Sequence, residues 1–339
     1  MDLSSLELEQ FEREHDDYQR ILETIRRAPR QFHPDELELV CIGNTGGAAN
    51  VVHGRPSGGF LLRHRRRTLI VDPGDNTIAF LVSLGFNPYE ITDVLASHAH
   101  NDHVGDLSLA VSAAINLGLS VNCDSRIVVS PSLIDYTNPA ATRLGFTLPA
   151  YSWEAHVRSL YHRELQTERF DGEVITSVPD MFLGDDIRVL ASEARHGQVL
   201  VTGFVIETAL GRLGYTSDTE YFEGLSDWFR GVDVLWMNMN TLSLNSLSAV
   251  NGLPDGPLHP THNHLGYVGA CLLIDELRPK TAVISHFGAQ IVGQRDRIEA
   301  MLRTRFAGSG VAIHCAENAD SYAFRKTLSE PPLRREFRP

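Results

Sequence analysis

Short apolar runs and helical apolar stripes alternate along most of the chain. Runs rich in Val, Ile and Leu, bounded by Gly, Pro or Asp, predict strands at 37–42, 60–62, 68–71, 91–96, 127–129, 187–191, 200–207, 212–216, 232–237, 281–285, 311–315 and 322–324. Apolar residues spaced three and four apart predict helices at 78–84, 107–117, 268–277 and 296–306. This regular alternation favours an α/β layered fold.

The two ends and one internal segment differ from this pattern. Residues 1–36 are predicted to be an N-terminal helical extension, because Phe11, Tyr18, Leu22 and Ile25 form a helical stripe. That helix is expected to dock on the main domain, with partner binding as the alternative. Residues 37–325 form the predicted domain, within which 131–180 is a candidate lid of helix and loop. Residues 326–339 are expected to be a mobile tail.

Composition narrows the classes of protein that this chain can belong to. A formal net charge of −13 over 339 residues argues against an extended nucleic-acid surface. It permits a small anionic substrate if bound cations make the site positive. The four cysteines form no C-x-x-C pair, and the N-terminus is acidic. No membrane association is expected because no apolar run has membrane-spanning length. These features predict a cytoplasmic protein.

The densest chemical motif follows the predicted strand at 91–96. His98, His100, Asp102 and His103 stand within six residues, in an H-x-H-x-D-H arrangement. Imidazole nitrogens and carboxylate oxygens are the ligands that zinc and related divalent ions prefer. The motif therefore predicts a metal site where a strand ends and a loop begins.

Further residues of the same chemical character lie at other predicted strand ends. His196 follows the strand at 187–191, Asp218 follows 212–216, and His286 follows 281–285. Asp72 closes the strand at 68–71. Each is weak alone, because a lone strand-end His or Asp is commonly a cap or a surface residue. Together with the first motif, His196, Asp218 and His286 complete a set of candidate metal ligands.

The ordered series of these residues resembles the metallo-β-lactamase superfamily over about residues 37–325. The resemblance implies an αββα sandwich of two mixed β-sheets faced by helices. It also implies two divalent ions, zinc with manganese as the alternative, that share the water which attacks the substrate. The first ion would be held by His98, His100 and His196, and the second by Asp102, His103 and His286. Asp218 would bridge them and Asp72 would orient the motif, with Asp102 and Asp72 as candidate catalytic residues.

A second motif resembles the ribonuclease Z-like branch of that superfamily. His264 precedes a predicted helix and lies 22 residues before His286. The resemblance implies that His264 protonates the leaving oxygen of a phosphodiester, with His262 as the second choice. Leu265 and Gly266 replace the Ser/Thr pair usual in ribonuclease Z. The glycine turn at 43–47 resembles the turn that opens such domains.

The spacing between two ligands separates this chain from transfer-RNA processing enzymes. Only 21 residues lie between His196 and Asp218, and the predicted hairpin uses nearly all of them. No room remains for the long arm that grips transfer RNA in ribonuclease Z. The combination resembles anti-Pycsar-type cyclic-nucleotide phosphodiesterases. It predicts hydrolysis of a small nucleotide, a cyclic nucleoside monophosphate, with Tyr136, Tyr151 or Trp153 available for base stacking.

Alternatives remain open from the sequence. A lactonase or β-lactamase-like hydrolase of the same fold does not need an acid at His264. A ribonuclease Z-type nuclease would act on RNA or DNA, and a non-catalytic binding subunit would not need the complete ligand set. The resemblance also implies a homodimer.

Overall fold

The computed structural model describes residues 32–115, 126–134, 157–168, 174–242 and 261–337, together with residues 13, 15–17, 19, 20 and 23. In these parts, two β-sheets pack face to face and helices cover the outer face of each sheet. The predicted α/β layered architecture of two mixed sheets faced by helices is therefore confirmed.

Strands make up most of the described structure. In chain order they are β1 (Glu36–Cys41), β2 (Gly58–His64), β3 (Arg67–Pro73), β4 (Asp93–Ala96), β5 (Arg126–Val129), β6 (Val157–Ser159), β7 (Leu165–Glu168), β8 (Val174–Ser177), β9 (Asp180–Leu183), β10 (Ile187–Glu193), β11 (Thr202–Thr208), β12 (Gly211–Tyr215), β13 (Val234–Asn240), β14 (Thr281–Phe287), β15 (Ala312–Cys315), β16 (Asp320–Arg325) and β17 (Leu333–Glu336). The first sheet has the order β17-β16-β1-β2-β3-β4-β5-β6, and the second has the order β15-β14-β13-β12-β11-β10-β9. Strands β7 and β8 form a separate pair.

Most of the described helices lie on the two outer faces of the sandwich. The helices are α1 (Ala48–Val52), α2 (Thr77–Ser83), α3 (Asn101–Val104), α4 (Leu107–Ile115), α5 (Leu225–Trp228), α6 (Gly266–Leu277) and α7 (Arg295–Arg305). Three 3-10 turns accompany them, at Pro88–Glu90, Pro131–Leu133 and Val292–Gln294. Helix α4 is an example of this packing. It buries one stripe against the outer face of the first sheet, formed by Leu107, Ala110, Val111 and Ala114.

The core between the sheets arises from the two-residue period of the strands. In β3, Leu69 and Val71 enter the core between the two sheets, whereas Ile70 contacts the helix layer. In β13, Trp236 enters the core between the two sheets. Leu235 contacts the helices on the outer face of the second sheet. Strands buried on both faces carry near-continuous apolar runs, which is why the sequence pattern identified most of them.

Two segments depart from the sequence expectations. The described part of 131–180 contains strands β6, β7 and β8, and β6 extends the first sheet, whereas helix and loop were expected. The tail, expected to be mobile, instead places β17 against β16 and buries Phe337. Both differences have the same cause. Strands β6 and β17 lie at the edges of the first sheet, and an edge strand forms by hydrogen bonding to its neighbour with little apolar pattern of its own.

The N-terminal segment is described only at a few positions. Residues 13, 15–17, 19, 20 and 23 are helical and exposed, while the apolar stripe that predicted the helix lies outside the described residues. The candidate stacking residues Tyr136, Tyr151 and Trp153 also lie outside them. None of the described helices combines the length and apolar character needed to cross a membrane.

Candidate metal centre

The ligand-type residues meet because strands of both sheets end at the same edge of the sandwich. Strands β12, β13 and β14 run parallel, so the segments after them lie side by side. Asp218 follows β12 and His286 lies near the end of β14. Asp72, Ser217 and His286 all have left-handed backbone conformations, with φ of 49°, 53° and 62°. Such strained residues gather at functional sites, and here they turn side chains into the edge.

The first group of ligand atoms combines three imidazoles with one carboxylate. Nδ1 of His100 lies 3.0 Å from Nε2 of His98 and 3.2 Å from Nε2 of His196. Oδ2 of Asp218 lies 3.9 Å from Nε2 of His98 and 3.8 Å from Nε2 of His196. These atoms therefore surround one point.

The second group shares Asp218 with the first. Nε2 of His103 lies 3.3 Å from Oδ2 of Asp218, and Nε2 of His286 lies 3.2 Å from its Oδ1. Oδ2 of Asp102 completes the group, at 3.9 Å from His103 and 3.6 Å from His286. In each group the ligand atoms lie within 4.8 Å of one another. The structure thus brings together all seven predicted ligand residues, with Asp218 between the two groups.

The chemistry of these atoms fits divalent cations. Nε2 of His103 and both ring nitrogens of His286 are buried and find no hydrogen-bond partner among the described residues. A buried polar atom without a partner is costly. Nε2 of His103 and Nε2 of His286 both lie little more than 3 Å from the carboxylate of Asp218. A bound cation would give each of these nitrogens a partner. The residues present therefore fit the divalent ions that this arrangement implies.

The outer nitrogens of three imidazoles are held by hydrogen bonds that leave Nε2 directed inward. Nδ1 of His103 donates to Oδ2 of Asp72 at 2.8 Å, and Nδ1 of His196 donates to the Asn263 carbonyl at 2.5 Å. Nδ1 of His98 donates to the Ser97 hydroxyl at 3.0 Å, and that hydroxyl donates to Asp72. Partners of this kind fix the orientation of ligating histidines.

Charge within the site shifts the pKa values of its groups in opposite directions. Burial would lower the pKa of His103, but the carboxylates of Asp218, Asp72 and Asp102 raise it well above its usual range. Burial would raise the pKa of Asp218, but His286 and His103 bring it well below its usual range. The site therefore keeps its bridging group as a carboxylate, the form that binds cations.

Asn238 is a site residue that the sequence did not indicate. Its Nδ2 donates to Oδ1 of Asp218 at 2.9 Å and to the Tyr215 hydroxyl at 3.2 Å. Tyr215 in turn donates to Oδ2 of Asp72 at 2.7 Å. A signal was present, because Asn238 is a polar residue near the carboxyl end of β13, between the strands that precede Asp218 and His286. It was missed because it is not a metal-ligand type.

The glycine turn at 43–47 closes over the second ligand group. A Cβ added at Gly46 would lie 2.2 Å from Nε2 of His286, so only glycine fits there. The backbone N–H of Gly47 donates to Oδ2 of Asp102 at 2.5 Å. The turn is therefore part of the site itself, and the sequence resemblance found it without showing why.

His264 lies in the same cleft as the ligand groups. Its Nδ1 is 3.6 Å from Oδ2 of Asp218, and its ring centroid is 4.8 Å from that of His196. Burial lowers the pKa of His264 to about 4, although Asp218 acts to raise it. His262 instead points away, since its side chain is 81% exposed and its Nδ1 lies 3.5 Å from Glu220. The geometry separates the two candidate acids.

The cleft above these residues has a volume of about 420 Å³. It is lined by Gly47, Ala48, Ala99, His100, Asn101, Asp102, His196, Asp218, Asn240 and His264. Volumes of this order accommodate small molecules. The candidate acid and members of both ligand groups therefore face one small cavity.

Comparison with known families agrees with this geometry. A model of the metallo-beta-lactamase superfamily matches residues 55–119, and a model of the beta-lactamase superfamily domain matches residues 140–287. Together the two matches identify metallo-β-lactamase superfamily domains in this chain. Domains of this superfamily indicate a metal-dependent hydrolase.

Individual relatives are distant. An uncharacterized protein of Methanocaldococcus jannaschii is 26% identical over 246 residues, which cover 68% of this chain and 83% of that protein. The structure is similar to the metallo-beta-lactamase fold protein YhfI from Bacillus subtilis, with a TM-score of 0.60, 18% identity and coverage of 85% and 99% of the two chains. It is also similar to the short form of human tRNase Z, with a TM-score of 0.53, 14% identity and coverage of 84% and 98%. At these identities the likeness establishes the fold.

Proposed function

We propose that this protein is a dinuclear metal phosphodiesterase that hydrolyses a small nucleotide, and that its substrate is a cyclic nucleoside monophosphate. The observation that carries the proposal is the position of His264, whose Nδ1 lies 3.6 Å from the shared carboxylate of Asp218. Hydrolysis of a carboxylic ester or lactam does not require an imidazole there. Cleavage of a phosphodiester with a poor alkoxide leaving group is accelerated by an acid at this position, because the departing oxygen carries developing negative charge.

The size and charge of the molecule support a small substrate. The residues between His196 and Asp218 form the β11–β12 hairpin, which pairs within the second sheet. This segment holds no arm that could grip a folded RNA. The cleft of about 420 Å³ matches a mononucleotide better than a polymer. The net charge of −13 adds a general repulsion of nucleic acid.

The side chains would divide the reaction between them. Two divalent ions would be held by Asp218, Asp102 and the five histidines of the two groups. Zinc suits this mixture of nitrogen and oxygen ligands best. Those ions would supply Lewis acidity to a water molecule and to the phosphoryl group. The water oxygen forms a new bond to phosphorus, and the bond from phosphorus to the sugar oxygen breaks. His264 gives its proton to that departing oxygen.

The low pKa of His264 places a condition on this role. At about 4, the imidazole is neutral near pH 7 and is a weak proton donor. A bound phosphodiester brings negative charge next to the ring and raises its pKa. The proposed role therefore requires that the charge of the bound substrate favours protonation of the His264 ring.

The test is hydrolysis by the purified full chain with added Zn²⁺ or Mn²⁺. We expect conversion of a cyclic nucleoside monophosphate to the linear monophosphate, and His264→Ala should lower kcat by at least about 100-fold while two metal equivalents remain bound. His262→Ala is the matched control and should retain activity. Lactone or nitrocefin hydrolysis without phosphodiester hydrolysis would assign the site to carboxylic substrates, and cleavage of a labelled oligonucleotide alone would assign it to a nuclease. The homodimer and the cytoplasmic location remain predictions from the sequence.

A further inference from the structure

The segment that carries His264 has little regular structure to hold it. It lies between residues that are not described and helix α6, and Asn263 within it has a left-handed backbone with φ of 67°. For a non-glycine residue this conformation costs free energy and persists only where neighbours enforce it. The position of His264 therefore depends on the contacts made by this segment.

Asn263 is hydrogen-bonded on both sides of its residue. Its carbonyl accepts the Nδ1 proton of His196 at 2.5 Å, and its own N–H donates to Oε2 of Glu220 at 3.3 Å. The Thr261 hydroxyl also donates to the His264 carbonyl at 2.5 Å. Asn263 is therefore held between a member of the first ligand group and a carboxylate outside both groups.

Glu220 is itself anchored to the site. It stands two residues after Asp218, and its backbone N–H donates to the Arg195 carbonyl at 2.8 Å. The Arg195 N–H donates in turn to the Thr219 hydroxyl at 2.9 Å. The side chain of Glu220 is 30% exposed and lines a second pocket, together with Arg195, His196 and Asn263. The backbone of Glu220 is thus tied to the segment that carries Arg195, and from there its carboxylate accepts the Asn263 N–H.

We propose that Glu220 is a positioning residue which, opposite His196, clamps Asn263 and so holds His264 against Asp218. The chemical consequence rests on the proposed function, in which His264 protonates the leaving oxygen. The same contact also orients His196. Because His196 donates its Nδ1 proton to the clamped carbonyl, Nε2 of His196 is kept for cation binding. The acid segment and the first ligand group therefore support each other.

Two substitutions at Glu220 separate this role from a general effect of the side chain. Glu220→Gln keeps an oxygen that can accept the Asn263 N–H, whereas Glu220→Ala removes it. His262→Ala is the control, because it deletes the other neighbour of Glu220 and leaves the bond to Asn263 in place. If Glu220→Ala does not fold, Glu220→Met supplies a second variant, since it keeps the length of the side chain and removes the oxygen that accepts the Asn263 N–H.

The first readout compares a poor alkoxide leaving group with p-nitrophenolate. Glu220→Ala should lower kcat roughly 10- to 100-fold more on the poor leaving group, while Glu220→Gln stays within about threefold of wild type. In a His264→Ala background, Glu220→Ala should have little further effect on the poor leaving group. Equal losses for both leaving groups, or a change confined to KM, would show that Glu220 contacts substrate and would overturn the proposal.

The second readout is Zn²⁺ affinity, measured by chelator competition without substrate. Glu220→Ala should weaken the binding of one ion roughly tenfold, and Glu220→Gln should restore it. This measurement remains decisive if the protein proves not to be a phosphodiesterase, because it tests the clamp and not the reaction. Wild-type affinity in Glu220→Ala, in a folded protein, would overturn the clamp while leaving the proposed function standing.

Discussion

Oδ2 of Asp72 lies 2.8 Å from Nδ1 of His103, and neither side chain is exposed to solvent. The carboxylate accepts the Nδ1 proton, so the opposite nitrogen faces Asp218 at 3.3 Å. The same carboxylate accepts hydrogen bonds from the backbone N–H and the hydroxyl of Ser97 and from the Tyr215 hydroxyl. One buried side chain therefore fixes the start of the histidine motif and one of its ligands.

Asp72→Asn tests whether this carboxylate orients the second ligand group. The amide keeps the shape but removes the charge that holds the His103 proton. We expect Zn²⁺ affinity to fall roughly 10- to 100-fold, measured by chelator competition. Asp75→Asn, three residues along, is the control and should bind zinc like the wild type. Unchanged affinity in a folded Asp72→Asn protein would show that the motif does not need this partner.

Asn238→Ala tests the support of the shared carboxylate. Loss of the 2.9 Å hydrogen bond leaves Oδ1 of Asp218 less well oriented toward His286. We expect total zinc affinity to fall about tenfold, with a smaller change in melting temperature for the metal-free protein. Ser285→Ala is a matched control, because Ser285 pairs with Asn238 in register and its buried hydroxyl has no partner among the described residues. Equal effects of the two variants would contradict a specific role for Asn238.

The sequence was sufficient to find the ligands because ligand chemistry and strand periodicity are both local. His98, His196, Asp218 and His286 each follow or end an apolar strand, so their place at one sheet edge could be inferred before the structure. The inter-sheet core was equally accessible, since alternate residues of buried strands face opposite layers.

The supporting residues could not be inferred in the same way. Asn238 and Glu220 act through hydrogen bonds to groups that are distant in the sequence, and these depend on the register of β12, β13 and β14 and on the path of the 261–265 segment. Neither residue type signals a role by itself. Strands β6 and β17 escaped prediction for a related reason, because pairing with a neighbour and not their own pattern makes them strands.

Gly46→Ala tests the close contact between the glycine turn and His286. The new methyl group would require the imidazole to move, because the ideal Cβ position is 2.2 Å from its Nε2. We expect metal analysis to show loss of one zinc equivalent relative to the wild type, and hydrolysis to fall by at least about tenfold. Gly293→Ala is the control, because a Cβ there meets no neighbouring atom within 4 Å. Full zinc content in Gly46→Ala would mean that His286 does not ligate from its observed position.

The stability of the folded protein at acidic pH should depend on His314, a half-buried residue of β15 that belongs to neither ligand group. Neither ring nitrogen has a hydrogen-bond partner among the described residues, and the ring centroid lies 5.4 Å from that of Tyr322. Burial lowers the pKa of His314 to about 4, assisted by Arg334 and Arg303 and opposed by Glu299 and Asp320. The folded protein therefore resists protonation of this ring.

The sign of the effect follows from the two pKa values. The unfolded chain takes up the proton near pH 6.5 and the folded protein only near pH 4, so the free energy of unfolding falls as the pH drops through this window. From pH 7 to pH 5 we expect a loss of about 1–2 kcal/mol from this residue, after allowance for its partial exposure. His314→Gln cannot protonate and should lose that much less stability. Urea unfolding of both proteins in a chelator at the two pH values measures the difference, and parallel losses would exclude His314 as the cause.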